Sequence, residues 1–305
     1  METIRRWVQV LSTLLVNGYW EFPVTRTIYQ GPLKVLCSPG LNCYSCPAAT
    51  TSCPIGALQQ LLAGVRHTID SGQLYIGLYI VGFMGVMGGV LGRAVCGWLC
   101  PFGLIQDLLY KIPSRKFGIP SVLRYLKYGF LAFFVILLPL LVVDHMGSGQ
   151  TWFCKYVCPA GTLTAGIPML LMQPGLRQAA GLLFLNKLFI MVMFMIWAVY
   201  ASRPFCRTTC PLGAFYALFA KVKLVRLRLD HSRCTNCKAC HQVCPMGVKF
   251  NESPDDAECI TCLACMDKAC EFDAISLEIG GVPVGGRASR PVAAPARETG
   301  NRVNR

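Results

Sequence analysis

The apolar residues of this chain collect in long unbroken runs rather than on one helical face or at alternate positions. From Ser71 to Gly92 no charged residue occurs, which at ~1.5 Å per residue is enough to cross a hydrocarbon core of ~30 Å. Two more spans are predicted. Val122 to Val143 carries Arg124 and Lys127 near its start, placed to snorkel, and Leu182 to Ser202 is closed by Arg203. Lys187, just inside the last run, reads as snorkelling to the nearby interface. A weaker run, Trp7 to Tyr19, follows Arg5 and Arg6, contains Gln9, Ser12, Thr13 and Asn17, and lacks a small-residue cleavage site. It is expected to stay as an anchor or first span rather than leave as a signal peptide. Gly85, Gly88, Gly89 and Gly92 lie inside an uncharged span and predict close helix packing rather than phosphate binding.

Beyond the last run the pattern changes. Val225 to Leu229 and Ala274 to Ile279 alternate as short strands. After Ile279 the composition turns to Gly, Pro, Ala and Arg without periodicity. The predicted architecture is mainly α: a polytopic helical membrane bundle of about four spans over residues 1–224, a small α+β domain over 225–279, and a disordered basic tail over 280–305.

Charge gives the expected orientation. The formal net charge is +14, yet charged residues make up only 14% of the chain against 54% hydrophobic. The cations flank apolar spans and crowd the last residues without a basic face interleaved with aromatics, so no nucleic-acid partner is expected. With four spans, fourteen Lys and Arg between Arg5 and Arg228 fall on one face, and six on the other: Arg26, Lys34, Arg66, Lys155, Arg177 and Lys187. The positive-inside rule then places both termini, and the 225–279 domain, in the cytoplasm of a bacterial inner membrane.

Eighteen cysteines in a chain long enough to bury a core without disulfides point to metal ligation. The run Cys234-x2-Cys237-x2-Cys240-x3-Cys244-Pro245 has the spacing with which bacterial ferredoxins wrap a 4Fe-4S cluster, and Cys259, Cys262, Cys265 and Cys270 form a second run. Since the fourth cysteine of each run crosses over in such domains, one cluster is assigned to Cys234, Cys237, Cys240 and Cys270, the other to Cys259, Cys262, Cys265 and Cys244. The second run departs from the pattern, with four residues before Cys270 and Glu271 where Pro is usual. Paired Cys-x2-Cys elements also build tetrahedral zinc centres, but a four-cysteine run ending in Pro favours iron-sulfur.

A second element recurs at the ends of the apolar spans: Cys96-x3-Cys100-Pro-Phe-Gly, Cys154-x3-Cys158-Pro-Ala-Gly and Cys206-x3-Cys210-Pro-Leu-Gly, with a half-copy at Cys53-Pro-Ile-Gly. Pro after each cysteine suits the first position of a helix, which sets the cysteine at a helix N-terminus, where amides and dipole favour thiolates. Two thiolates cannot close a four-coordinate cluster, so pairs must combine. Cys96, Cys100, Cys206 and Cys210 share one face and make four ligands. The other face holds six candidates: Cys37, Cys43, Cys46, Cys53, Cys154 and Cys158. Two arrangements stay open there. The N-terminal group closes a cluster alone, leaving Cys154 and Cys158 as a disulfide or redox pair, or a mixed set does so, with Cys53, Cys154 and Cys158 ahead of Cys37.

The Cys96–Gly103 and Cys206–Gly213 elements after apolar spans, followed by paired ferredoxin motifs, resemble the NapH type of membrane polyferredoxin, related to the membrane half of NosR, over roughly residues 73–275. The resemblance implies electron transfer between the quinone pool or a cytoplasmic donor and an outward-facing redox partner. The chain departs by adding the Cys37–Cys53 group and the Cys154/Cys158 element, and by lacking a periplasmic flavin domain. Two 4Fe-4S clusters are expected in the ferredoxin part and two in the membrane part. Haem is not expected, since none of His67, His145, His231 and His241 is mid-span. Trp98, Trp152, Phe153 and Tyr156, beside the cysteine pairs, read as interface anchors. No catalytic triad, Walker or dinucleotide motif occurs, so the expected role is an electron-transfer component of an oxidoreductase system. The alternatives are a membrane reductase or assembly factor for the metal site of another enzyme, and a non-redox zinc-binding structural protein.

Overall fold

The computed structural model describes residues 2–65, 75–145 and 148–284. Ser71 to Leu74 of the first expected span, Arg66, His67, and 285–305 of the expected tail lie outside them. The chain is mainly helical: α1 (Glu2–Val16), α2 (Pro54–Ala63), α3 (Tyr75–Val90), α4 (Ala94–Trp98), α5 (Pro101–Leu109), α6 (Ser121–Leu141), α7 (Pro159–Met172), α8 (Leu182–Tyr200), α9 (Pro204–Thr208) and α10 (Pro211–Ala217). Strands β1 (Val225–Leu229), β2 (Ile275–Ile279) and β3 (Val282–Pro283) form one antiparallel sheet in that order, with Leu227 opposite Leu277. β3 lies inside the stretch expected to be disordered, because a turn at Gly280 and Gly281, both at positive φ, folds the chain back onto β2.

Among the described residues two helices, α6 and α8, are long and apolar enough to cross a membrane; the first expected span is described only from Tyr75 onward. The described part of the first span, α3, has 16 residues and reaches only ~24 Å; α1, with 15, reaches ~22 Å. The surfaces of α6 and α8 differ from those of soluble core helices. Only 17% of the apolar window of each is buried, and Phe133, Ile136, Leu185, Phe189 and Ile196 stand exposed. α1 is inverted in the same sense, with Trp7, Leu11 and Leu15 outward and Arg5 and Gln9 inward. An apolar exterior over a polar interior fits hydrocarbon and costs free energy in water.

Lys127 does not snorkel. It is fully buried and ion-paired to Glu258 of the ferredoxin region, which also takes Arg93 at 2.6 Å. The reason is tertiary: the loop carrying Glu258 lies over the N-terminal end of α6. The glycines of α3 split. A Cβ on Gly88 would stand 2.6 Å from the Phe219 ring, whereas Gly85 and Gly89 face open space, so close packing holds for only part of the row.

The helices alternate in direction. α3 runs from the Cys53 element to the Cys96 element, α6 returns to the Cys154 element, and α8 runs back to Cys206. Cys96 and Cys206 therefore share one end of the bundle, and Cys53 and Cys154 the other.

Candidate iron-sulfur centres

Each Cys-Pro element folds in one local way. Cys53, Cys100, Cys158 and Cys210 are extended N-cap residues, with the following Pro opening a helix. In two of them the Gly three residues on donates its N–H to the cysteine sulfur at 3.5 Å, Gly161 to Cys158 and Gly213 to Cys210. At Gly103 and Gly161 a side chain would crowd the site. A Cβ on Gly103 would stand 2.9 Å from the Cys96 carbonyl, and one on Gly161 3.3 Å from Cys43 Sγ. Upstream, the second cysteine of each pair closes a wide turn onto the residue before the first: Cys100 N–H to Val95, Cys158 to Phe153 and Cys210 to Phe205. That turn leaves both sulfurs on one side.

The elements meet in fours. Cys206 lies within electrostatic reach of Cys96 and Cys100, and Cys210 of Cys96, Cys100 and Cys206. All four are buried. At the other end Cys154 lies within reach of Cys158, Cys53 and Cys43, and Cys53 within reach of Cys158 and Cys43. Cys43, Cys53, Cys154 and Cys158 thus lie within reach of one another, with Cys46 also in reach of Cys43. Cys37 instead turns to Tyr79, and Cys46 to Asn17. In the ferredoxin region Cys234, Cys237, Cys240 and Cys270 line one small cavity, while Cys265 lies within reach of Cys259, Cys262 and Cys244. The unusual spacing before Cys270 is absorbed by the same wide turn, Cys270 N–H to the Cys265 carbonyl at 3.0 Å. Both Cys-x2-Cys loops repeat one backbone path, with Asn236 and Lys238 in the left-handed region and Thr261 and Leu263 at the matching positions. Such conformations persist only where the surroundings over-determine them, for a β-branched Thr above all.

Four side chains that sequence reasoning passed over complete the sites. Gln59 and Gln106, six residues after Cys53 and Cys100, donate to Cys154 Sγ and Cys206 Sγ, each at 3.1 Å. Arg93 and Arg203, three residues before Cys96 and Cys206, cross over: Arg93 donates to the Cys206 carbonyl at 3.1 Å and Arg203 to the Cys96 carbonyl at 2.8 Å. Asp107 holds Arg203 through two bonds of 2.6 Å. The signal was in the chain, as Arg-x2-Cys-x3-Cys-Pro in both near-end copies and Cys-Pro-x-Gly-x2-Gln in two copies. Lys187 also faces inward enough to act electrostatically on Cys43 and Cys158.

The donor sets suit a multi-iron cluster. Each quartet is all sulfur, and N–H donors rather than carboxylates point at the thiols. Desolvation, then neighbouring sulfurs, pushes the Cys43 thiol up to about 11, and burial does the same for Cys244. Such thiols ionise at neutral pH only against a cationic core.

The ferredoxin region is seated on the near-end quartet. A Cβ on Gly97 would stand 2.7 Å from the Ile260 carbonyl, and Trp98 Nε1 donates to the Thr261 carbonyl at 2.9 Å. Trp98 is therefore a docking contact and Phe153 a fully buried core residue, neither of them an interface anchor.

Comparison with known proteins gives the same chemistry. A 4Fe-4S binding domain family matches residues 51–70, 74–120, 128–171 and 184–229, each segment holding one Cys-Pro element, and a second 4Fe-4S binding domain matches 227–250. An uncharacterized protein of Methanocaldococcus jannaschii is 33% identical over 67% of this chain and 79% of its own length. The ferredoxin-type protein NapH of Haemophilus influenzae is 27% identical over 87% and 84%. The methylamine utilization ferredoxin-type protein MauN of Methylorubrum extorquens is 31% identical over 63% and 59%. No solved structure matches. A sequence in which all four Cys-Pro elements and the first ferredoxin run fall within matched segments belongs to the 4Fe-4S binding domain family and is a NapH-like polyferredoxin with an iron-sulfur electron-transfer role.

Proposed function

We propose that this chain conducts electrons through a lipid bilayer along four thiolate quartets, each holding one 4Fe-4S cluster. The ligand sets are Cys234, Cys237, Cys240 and Cys270; Cys244, Cys259, Cys262 and Cys265; Cys96, Cys100, Cys206 and Cys210; and Cys43, Cys53, Cys154 and Cys158. A bound cluster supplies a one-electron couple whose potential follows its hydrogen bonds, net charge and exposure. The observation that carries the reading is the order of contact. The Cys259–Cys265 loop packs on α4, which bears Cys96, so successive quartets adjoin from the ferredoxin lobe into the bundle.

The protein's own groups set the conditions for transfer. Arg93 and Arg203 place fixed positive charge beside the near-end quartet, and Gln106 and Gln59 donate to one sulfur in each bundle quartet. Both effects favour the reduced, more negative state. The apolar belt of α6, α8 and α1 keeps the bundle in hydrocarbon, and re-entrant helices α2, α5, α7 and α10 are tolerated at depth because they are covered by protein. The chain is multi-pass in a bacterial inner membrane, with both termini and the ferredoxin lobe cytoplasmic. It takes electrons from a ferredoxin-like donor or quinol and delivers them to an outward-facing partner.

The test is a sealed liposome with a low-potential reductant inside and a one-electron dye outside. The protein should reduce the dye, and Cys158→Ser should not. Equal, negligible rates for both would rule against the conducting role and leave the reductase or assembly-factor reading.

A further inference from the structure

Between the two bundle quartets runs a segment that no motif marks. Ser38, Leu41 and Asn42 are buried, although they belong to the loop that leads to the far-end ligand Cys43. The loop reaches the near-end quartet at Gly40, where an added Cβ would stand 2.8 Å from Cys100 Cα and 3.3 Å from its Cβ. The next residue, Leu41, is buried beside this contact. Two residues later the chain delivers Cys43 to Cys53, Cys154 and Cys158. Both ends are pinned: Ser38 N–H donates to the Ser52 carbonyl at 2.7 Å, and the Asn42 amide donates to the Val16 and Thr51 carbonyls.

One side chain fixes the height of this segment. Tyr216, fully buried on α10, donates its hydroxyl to the Pro39 carbonyl at 3.0 Å. Its hydroxyl lies within electrostatic reach of Cys96, Cys100, Cys53 and Cys37, sulfurs of both ends. A buried loop has no other evident purpose here, since a surface path from Val35 to Cys43 would satisfy its amides with water at no cost.

We propose that Gly40–Leu41–Asn42–Cys43 is the electron bridge between the two bundle quartets, with Gly40 seated on the Cys100 backbone and Tyr216 as the positioning residue that holds the segment there. The inference rests on the clusters of the proposed function. One electron would pass from the reduced near-end site to the oxidised far-end site across the Gly40 contact on Cys100 and along the short covalent path to Cys43 Sγ. No bond breaks and no proton moves. The electron is supplied by a low-potential one-electron reductant and removed by an outer one-electron acceptor.

The experiment compares wild type, Tyr216→Phe and Gly40→Ala as full-length, anaerobically purified protein in nanodiscs and liposomes. Iron and sulfide content, the EPR spectrum of the reduced protein with its inter-cluster spin coupling, and transfer across the bilayer are read together. Tyr216→Phe should retain wild-type iron and sulfide, show weakened spin coupling between the bundle clusters, and transfer electrons several-fold more slowly. Gly40→Ala should do the same more strongly, because its new methyl meets backbone. If Gly40→Ala loses iron, Tyr216→Phe decides alone. Wild-type coupling and rate in a fully loaded Tyr216→Phe would overturn the bridge. Wild-type protein whose bundle thiols carry no iron would instead overturn the four-cluster reading beneath it.

Discussion

The joint between the ferredoxin lobe and the bundle rests on one carboxylate. Glu258 accepts from Arg93 at 2.6 Å and from Lys127, and these two cations are 1% and 0% exposed. Glu258→Gln keeps the shape but leaves two buried charges without a counter-ion. Breaking a buried pair in this way costs ~3–5 kcal/mol, which at ~1.4 kcal/mol per decade shifts the docked equilibrium by roughly a hundredfold to a few thousandfold. Hydrogen exchange read by mass spectrometry in nanodiscs reports it directly, since local opening sets the exchange rate. Amides of 94–99 and 257–263 should exchange faster by a comparable factor, while those of α8 stay unchanged. Exchange within about threefold of wild type in both segments would refute the assignment of the joint to this ion triad.

Further outcomes follow from the same structure. Burial raises the Glu258 pKa but Arg93 and Lys127 outweigh it, leaving it below the ordinary carboxylate range. Its contribution is thus present above the unfolded value of about 4.3 and lost only as pH falls through the lower folded value, so acid undocking followed by Trp98 fluorescence should begin below the usual range and lose this limb in Glu258→Gln. Cys43→Ser should cost about four irons per chain, whereas Cys46→Ser, whose sulfur turns to Asn17, should cost none by iron assay. Gln106→Leu removes the N–H held on Cys206 Sγ and should lower the midpoint potential of one cluster in an EPR redox titration, leaving iron content intact. Gly97→Ala should speed exchange at 257–263 as Glu258→Gln does, because its Cβ would meet the Ile260 carbonyl at 2.7 Å.

What could be read from residues alone divides along physical lines. Cys96 could be paired with Cys206 because both elements close apolar runs of known direction, and the ferredoxin runs because their spacing is itself the geometry of the wrap. Cys43 could not be separated from Cys37 and Cys46, since its place depends on the path of a buried loop with no period. Lys127 looked like a snorkelling residue because local pattern gives no sign of Glu258, 131 positions away. The four spans were counted by apolar length; among the described residues α6 and α8 carry that length, while α1 is a 15-residue helix with Arg5 and Gln9 turned inward. Arg93, Arg203, Gln59 and Gln106 repeat at fixed offsets from the cysteines and were legible, had the repeat been extended beyond the cysteines and Pro.

Iron and acid-labile sulfide per chain, measured on anaerobically purified full-length protein, bear most directly on the central claim. Four loaded quartets should give about sixteen of each. About eight of each, with the bundle cysteines alkylated, or zinc without sulfide, would contradict it.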